Sequence, residues 1–180
     1  CTLNELYSKI IGKCIFQEYI TQEEKISKIY PHSLNTVRPV TVMDHGKPFL
    51  LTPFLRVGHQ GSLVDNWAGG GVIIPIDKET GRLKKHGFLQ PGTGTLVTKH
   101  PDTGMEFEGF EVPYYKEMVE LIMKLHKLFY GIHSIGWDIA ITANGPCVIE
   151  GNDEWDLALQ QTFDNGLKQF YLHSYPIIDS

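Results

Sequence analysis

The chain contains no apolar run approaching the roughly 18–20 residues that a membrane-crossing helix requires, and it carries no excess of basic charge. With 16 Lys and Arg against 21 Asp and Glu, the net charge is −5, so the electrostatic footprint of a nucleic-acid or anionic-lipid binder is missing. Membrane insertion and nucleic-acid partners are excluded on these grounds. Cysteine is scarce as well. Cys1, Cys14 and Cys147 are odd in number and far apart, and two of them sit in apolar strand-like runs, which argues against a disulfide framework or a zinc cluster. A reducing, cytoplasmic location is the expectation. Neither a signal peptide nor a methionine opens the sequence, and it reads as part of something longer.

What is present is an ordinary core. The 180 residues are 42% hydrophobic and 21% charged, without internal repeat, low-complexity tract or linker, and predict one domain over residues 1–180. Thr2 and Glu5 form a capping-box pattern, with Leu3, Leu6, Tyr7 and Ile10 at helical spacing and Gly12 as a stop, so a short helix is expected first. Strands are expected over Cys14–Ile20, Asn35–Asp44 and Phe49–Val57, the last two joined through His45-Gly46-Lys47-Pro48. Residues 58–112 are irregular and glycine-rich, with one strand, VIIPID, inside them, and loops of this length are usually functional. A helix is expected from Pro113 to Gly131, burying Met118, Leu121, Ile122, Leu125, Leu128 and Phe129. The hairpin GWDIAITANGPCVIEGN follows, then a short helix after Trp155. Without βαβ alternation, the predicted class is α+β, an antiparallel sheet flanked by helices.

The hairpin carries the chemistry. A three-residue turn, Ala143-Asn144-Gly145, places Asp138 opposite Glu150 and Ala140 opposite Val148. Period two adds Asn152 to the same face and sends Trp137, Ile139, Ile141 and Ile149 into the core. Two carboxylates about 5 Å apart repel unless something offsets them. Oxygen-only ligands suit Mg²⁺ or Mn²⁺. Two other readings stand beside this one: a plain solvent face, and a general acid–base pair of a hydrolase, although carboxylates directly opposite each other suit a shared metal better than the two faces of a sugar ring. The eight histidines have no ligand-like spacing; most read as surface residues, and His126 sits on the helix.

The spacing Asp-x11-Glu-x-Asn after a long amphipathic helix resembles the metal-binding end of the ATP-grasp ligases. Taken with LNTVR, RVG, VDN, GGG, HPDTG, GWDIAIT and VIEGN, the wording is most similar to the sugar-transfer-associated, hexapeptide transferase-related branch, over about residues 13 to 155. The resemblance implies ATP as cofactor and Mg²⁺ held by Asp138, Glu150 and Asn152. It implies a hinge strand in which Gln17, Glu18, Tyr19 and Ile20 lie along the adenine, and it puts Arg38, Arg56 and Asn66 near the phosphates, the acyl-phosphate intermediate and the acceptor. Its reaction joins a carboxylate to an amine or similar nucleophile. The branch also implies cell-surface polysaccharide or sugar metabolism and a glycosyltransferase-pathway partner.

Two departures matter. Many ATP-grasp ligases carry an arginine two residues before the metal-binding aspartate, and here that position is Gly136. Only 13 residues precede CIFQEYI, so the chain reads as the C-terminal ATP-grasp subdomain alone. The N-terminal subdomain is then a missing partner, and weak nucleotide binding without turnover is expected of the isolated piece. A nucleotide-binding or scaffold domain that has lost catalysis is the competing reading.

Overall fold

The computed structural model describes residues 18–65, 70–89, 95–157 and 159–160. Its elements run α1 (Glu24–Ile29), β1 (Thr36–Arg38), β2 (Val40–Asp44), β3 (Lys47–Leu50), β4 (Phe54–Val57), β5 (Val72–Pro75), β6 (Gly87–Leu89), β7 (Thr95–Val97), α2 (Tyr115–His126), β8 (Ser134–Thr142) and β9 (Gly145–Asn152). The nine strands make one antiparallel sheet, so the α+β class holds. Among the described residues no helix is long and apolar enough to cross a membrane.

β8 organises the sheet. It pairs with β9 on one side and with β1 and β2 in succession on the other. Those two are a single extended run broken at Pro39, which lacks the N–H a continuous ladder needs. The Trp137 N–H donates to the Pro39 carbonyl at 2.9 Å and holds the break against β8. β4 then lies beside β1 and β3 beside β2, and β5, β6 and β7 extend the sheet. His45 and Gly46, with φ of 45° and 78°, form the two-residue β2–β3 turn, the positive-φ geometry that matches strand twist. Pro48 is tolerated because β3 is an edge strand.

The two faces of the sheet differ. Val37, Leu55, Val57, Trp137, Ile139 and Ile141 point into the main core with Ile26 and Ile29 of α1 and Met118 and Ile122 of α2. Each such side chain, fully buried, contributes roughly 1.5–3 kcal/mol. Thr36, Arg38, Arg56, Ala140 and Asp138 point the other way, as the registers Thr36↔Arg56 and Thr36↔Ala140 require. The interior builds the body and the second face carries the charge.

The structure corrects several expectations. The two strands expected over residues 35–57 are four, broken at Pro39 and at Leu51-Thr52-Pro53. β6 and β7 lie in the stretch read as loop, and at three residues each they are too short to show alternation. The long helix spans only Tyr115–His126. Tyr114, at φ 54°, precedes it, so the helix starts two residues after Pro113, and the chain turns off after His126, leaving Leu128 76% and Phe129 50% exposed rather than buried. His100 and His126 are fully buried, not superficial. His126 lies between Thr41 Oγ1 at 2.7 Å and the Ile132 carbonyl at 3.1 Å. Of the strand expected over Cys14–Ile20, the described residues 18–20 form no strand: they line a cavity with Cys147–Ile149 of β9, whose edge is interrupted by a bulge, and among the described residues this segment pairs only through the bridge Gln22↔Thr142. Helical structure does begin at Leu157. The expected opening helix, Gln17, Asn66 and Trp67 lie outside the described residues.

Candidate functional site

The β8–β9 hairpin reaches its expected pairing by an unexpected route. Thr142 pairs with Gly145, so only Ala143 and Asn144 form the turn, and Ala140 faces Cys147 instead of Val148. A β-bulge then inserts Ile149 between Val148, opposite Ile139, and Glu150, opposite Asp138. The two offsets cancel. Asp138 faces Glu150, and Asn152 Nδ2 donates to Glu150 Oε1 at 3.1 Å. The bulge turns Ile149 outward to 38% exposure, so its expected place in the core is wrong.

Asp138 is 7% exposed and does not stand alone. Arg38 grips it with a two-pronged fork, Nε to Oδ1 at 2.5 Å and Nη2 to Oδ2 at 2.8 Å. Arg56 Nη1 donates to the same Oδ1 at 2.9 Å, while its Nη2 donates to Asp65 Oδ1 at 2.9 Å. Asp65 Oδ2 in turn accepts from the Thr36 amide at 3.0 Å and from the Thr36 hydroxyl. The result is a chain of alternating charge, Arg38–Asp138–Arg56–Asp65, nearly closed to solvent. Arg56 Nε is buried with no hydrogen-bond partner among the described residues.

The repulsion expected between Asp138 and Glu150 is therefore offset by two guanidiniums. Burial pushes the Asp138 carboxyl up, but the Arg38 hydrogen bonds and the charges of Arg56 and Arg38 outweigh it and hold it below the ordinary carboxylate value. Asp65 goes the other way. Its burial outweighs the single arginine and the Thr36 hydrogen bonds, and its carboxyl is raised. A second arginine is the physical difference between the two.

Asp65 escaped the sequence reading, although it stands beside Asn66 in VDN. It lies on a loop without periodicity. What places it is the parallel bridge Leu34↔Val64, which lays residue 65 alongside Thr36 at the start of β1. Behind the loop, His100 Nε2 meets the Gly58 carbonyl at 2.8 Å, His59 Nδ1 lies 3.0 Å from Asp102 Oδ1, and the Gln60 amide donates to Asp102 Oδ2 at 2.7 Å.

Arg38, Arg56, Asp65, Asp138 and Glu150 line an open cavity of about 480 Å³, together with Val64, Asp156 and Leu159. Leu159, on its apolar side, packs against Phe54 and Ile73. Glu18, Tyr19 and Ile20 line a second cavity, about 640 Å³, with Leu34 and Cys147, Val148 and Ile149. β9 thus borders both cavities. Gly136 explains its own departure from the expected arginine: a Cβ there would lie 2.6 Å from Trp155 Cβ, so Trp155 occupies the side-chain space, with its Nε1 donating to Ser134 Oγ at 3.0 Å.

The donor set suits a hard divalent cation. Asp138 has three of about four lone-pair positions filled by arginines, and Glu150 and Asn152 are the more accessible members. Asn152, giving its amide nitrogen to Glu150, keeps its carbonyl oxygen for a ligand. No curated protein and no solved structure matches the sequence. The sequence profile of the sugar-transfer associated ATP-grasp family matches residues 3–173. With nearly its whole length covered, the chain belongs to the sugar-transfer associated ATP-grasp family.

Proposed function

We propose that this chain supplies the metal- and phosphate-facing part of an ATP- and Mg²⁺-dependent ligase. The enzyme activates a carboxylate as its acyl phosphate and joins it to an amine or similar nucleophile, in cell-surface polysaccharide or sugar metabolism. The observation that carries this reading is the cavity in which two forked arginines, two buried aspartates and Glu150 converge on one sheet face. Family membership supplies the nucleotide.

Asp138, Glu150 and Asn152 hold Mg²⁺, or Mn²⁺. Bound there, the ion neutralises charge on the phosphate oxygens. Arg38 and Arg56 present planar forks suited to phosphoryl or carboxylate oxygens, and they stabilise the charge that builds during transfer. Asn66, directly after Asp65, acts close to the acceptor. Gln17 to Ile20 form the adenine hinge, a role supported by the cavity that Glu18, Tyr19 and Ile20 share with β9. Val64 and Leu159 give the first cavity an apolar side that helps to exclude water. The chain works with an N-terminal ATP-grasp subdomain and a glycosyltransferase-pathway partner, in the cytoplasm.

One observation favours a second reading, a nucleotide-binding or scaffold domain without turnover: Asp138 is already engaged by both arginines. ADP release separates the two. In the full-length protein, Asp138→Asn and Glu150→Gln should each abolish carboxylate-dependent ADP release if the ligase reading holds. Nucleotide binding without ADP release in the unmodified protein would favour the scaffold.

A further inference from the structure

Resting on the reading above, we propose that Arg38 and Arg56 form a latch on Asp138, so that the site accepts a polyphosphate anion and a divalent cation together and resists either one alone. The cluster of Arg38, Arg56, Asp138 and Asp65 is neutral as a set, two guanidiniums against two carboxylates. Each charge is buried and compensated by a neighbour in the same set. Removing one partner from such a set leaves the other uncompensated, which is far costlier than exchanging both.

A cation arriving alone must draw Asp138 off its arginines. Arg38 then loses both of its described hydrogen bonds, which go to Asp138. An anion arriving alone must draw Arg38 away, and Asp138 then keeps Arg56 alone against Glu150, which faces it across the hairpin. When both arrive, the partners exchange. The anion takes the arginines, the cation takes Asp138 and Glu150, and every charge stays paired. Arg56 is the fixed half of the latch, because Asp65 holds it and Thr36 holds Asp65 through two hydrogen bonds. Arg38 is the moving half. The fork that will bind phosphate is thus kept folded onto the metal ligand until both components are present.

The test uses the full-length protein with Mn²⁺ and inorganic tripolyphosphate as probes, and needs no turnover. Mn²⁺ binding is followed by electron paramagnetic resonance, and metal-free tripolyphosphate binding by calorimetry in excess EDTA. Wild-type protein should bind each probe alone weakly. Arg38→Gln should tighten Mn²⁺ binding without anion, and Asp138→Asn should tighten metal-free tripolyphosphate binding, each by at least about tenfold, the usual scale of coupling between sites. The first gain should vanish in the double variant Arg38→Gln/Asp138→Asn, which separates release of Asp138 from a general loss of positive charge. In wild-type protein the Arg38 ¹⁵Nε resonance should shift only when both probes are present, a readout that does not depend on a variant folding. Tight wild-type binding of either probe alone, no gain in the variants, or a shift of Arg38 with one probe would overturn the latch. Such a failure leaves the ligase reading intact, since that reading stands or falls on ADP release.

Discussion

Arg38 and Asp138, one hundred residues apart in the sequence, meet through two parallel hydrogen bonds on one face of the sheet. Neither strand could present its charge on this face alone. β1 is held against β8 by the pairs Thr36↔Ala140 and Val37↔Ile139, and the register puts the guanidinium over the carboxylate. Fork and carboxylate are both nearly buried, so the pair is sensitive to the loss of one member.

Replacing Arg38 by alanine should therefore destabilise the protein by somewhat less than the roughly 3–5 kcal/mol lost when a buried charge is fully orphaned, because Arg56 still compensates Asp138. Arg38→Lys, keeping the charge but not the fork, should cost less. Urea unfolding of the three proteins checks the order. Equal midpoints for wild type and Arg38→Ala would show that the pair carries no stability.

Acid should unfold the protein through its buried histidines. Burial pushes His100, His126 and His133 below the ordinary value of 6.5, with the charge of His126 adding to the effect at His133. A depressed folded-state value means that the stability contribution is fully present above 6.5 and is lost as pH falls through the lowered values. The urea midpoint should drop between about pH 7.5 and about pH 5. His126→Gln should flatten that slope, and an unchanged slope would remove His126 from the account.

Gly136 should resist even a methyl group. Trp155 fills the space a Cβ would enter, with its Cβ at 2.6 Å and its Cγ at 3.1 Å in the way rather than a flexible tip. Gly136→Ala is expected to cost about 1–3 kcal/mol, as overpacking does, and to shift tryptophan fluorescence. A neutral substitution would mean that Trp155 is free to move aside.

The bulge makes a sharp contrast between neighbours on the hairpin. Ile149 is 38% exposed and Ile139 is fully buried. Ile149→Thr should change stability by no more than about 0.5 kcal/mol, whereas Ile139→Ala should cost about 2–5 kcal/mol. Comparable losses at both positions, measured by thermal melts, would put Ile149 back in the core.

The residues of the site were more legible than the framework around them. Alternation in GWDIAIT showed which side chains of β8 face the core, and apolar content marked Asn35–Asp44 and Phe49–Val57 as extended. Asp138 opposite Glu150 was predicted from a turn that is one residue shorter in the structure; the bulge at Ile149, which no local signal announces, restored the pairing. Asp65 could not be read at all. Its position depends on the Leu34↔Val64 bridge, a contact between segments thirty residues apart, and loop residues carry no period. The same holds for the clamp itself: that Arg38 and Arg56 both turn to Asp138 follows from strand order, which is set by the packing of the whole sheet. His126 was placed on the helix, but its burial was not read, because the stripe of Met118, Leu121, Ile122, Leu125, Leu128 and Phe129 runs past the true helix end at His126.

The proposal that the charged face of this sheet binds a magnesium–nucleotide complex is tested by calorimetric titration of the full-length protein with Mg·ATP, wild type against Glu150→Gln. Glu150 is exposed, so its substitution leaves the core untouched. The wild type should bind saturably and the variant at least about tenfold more weakly, a difference of about 1.4 kcal/mol. Equal affinity in the two proteins, or no binding by the wild type, would contradict it.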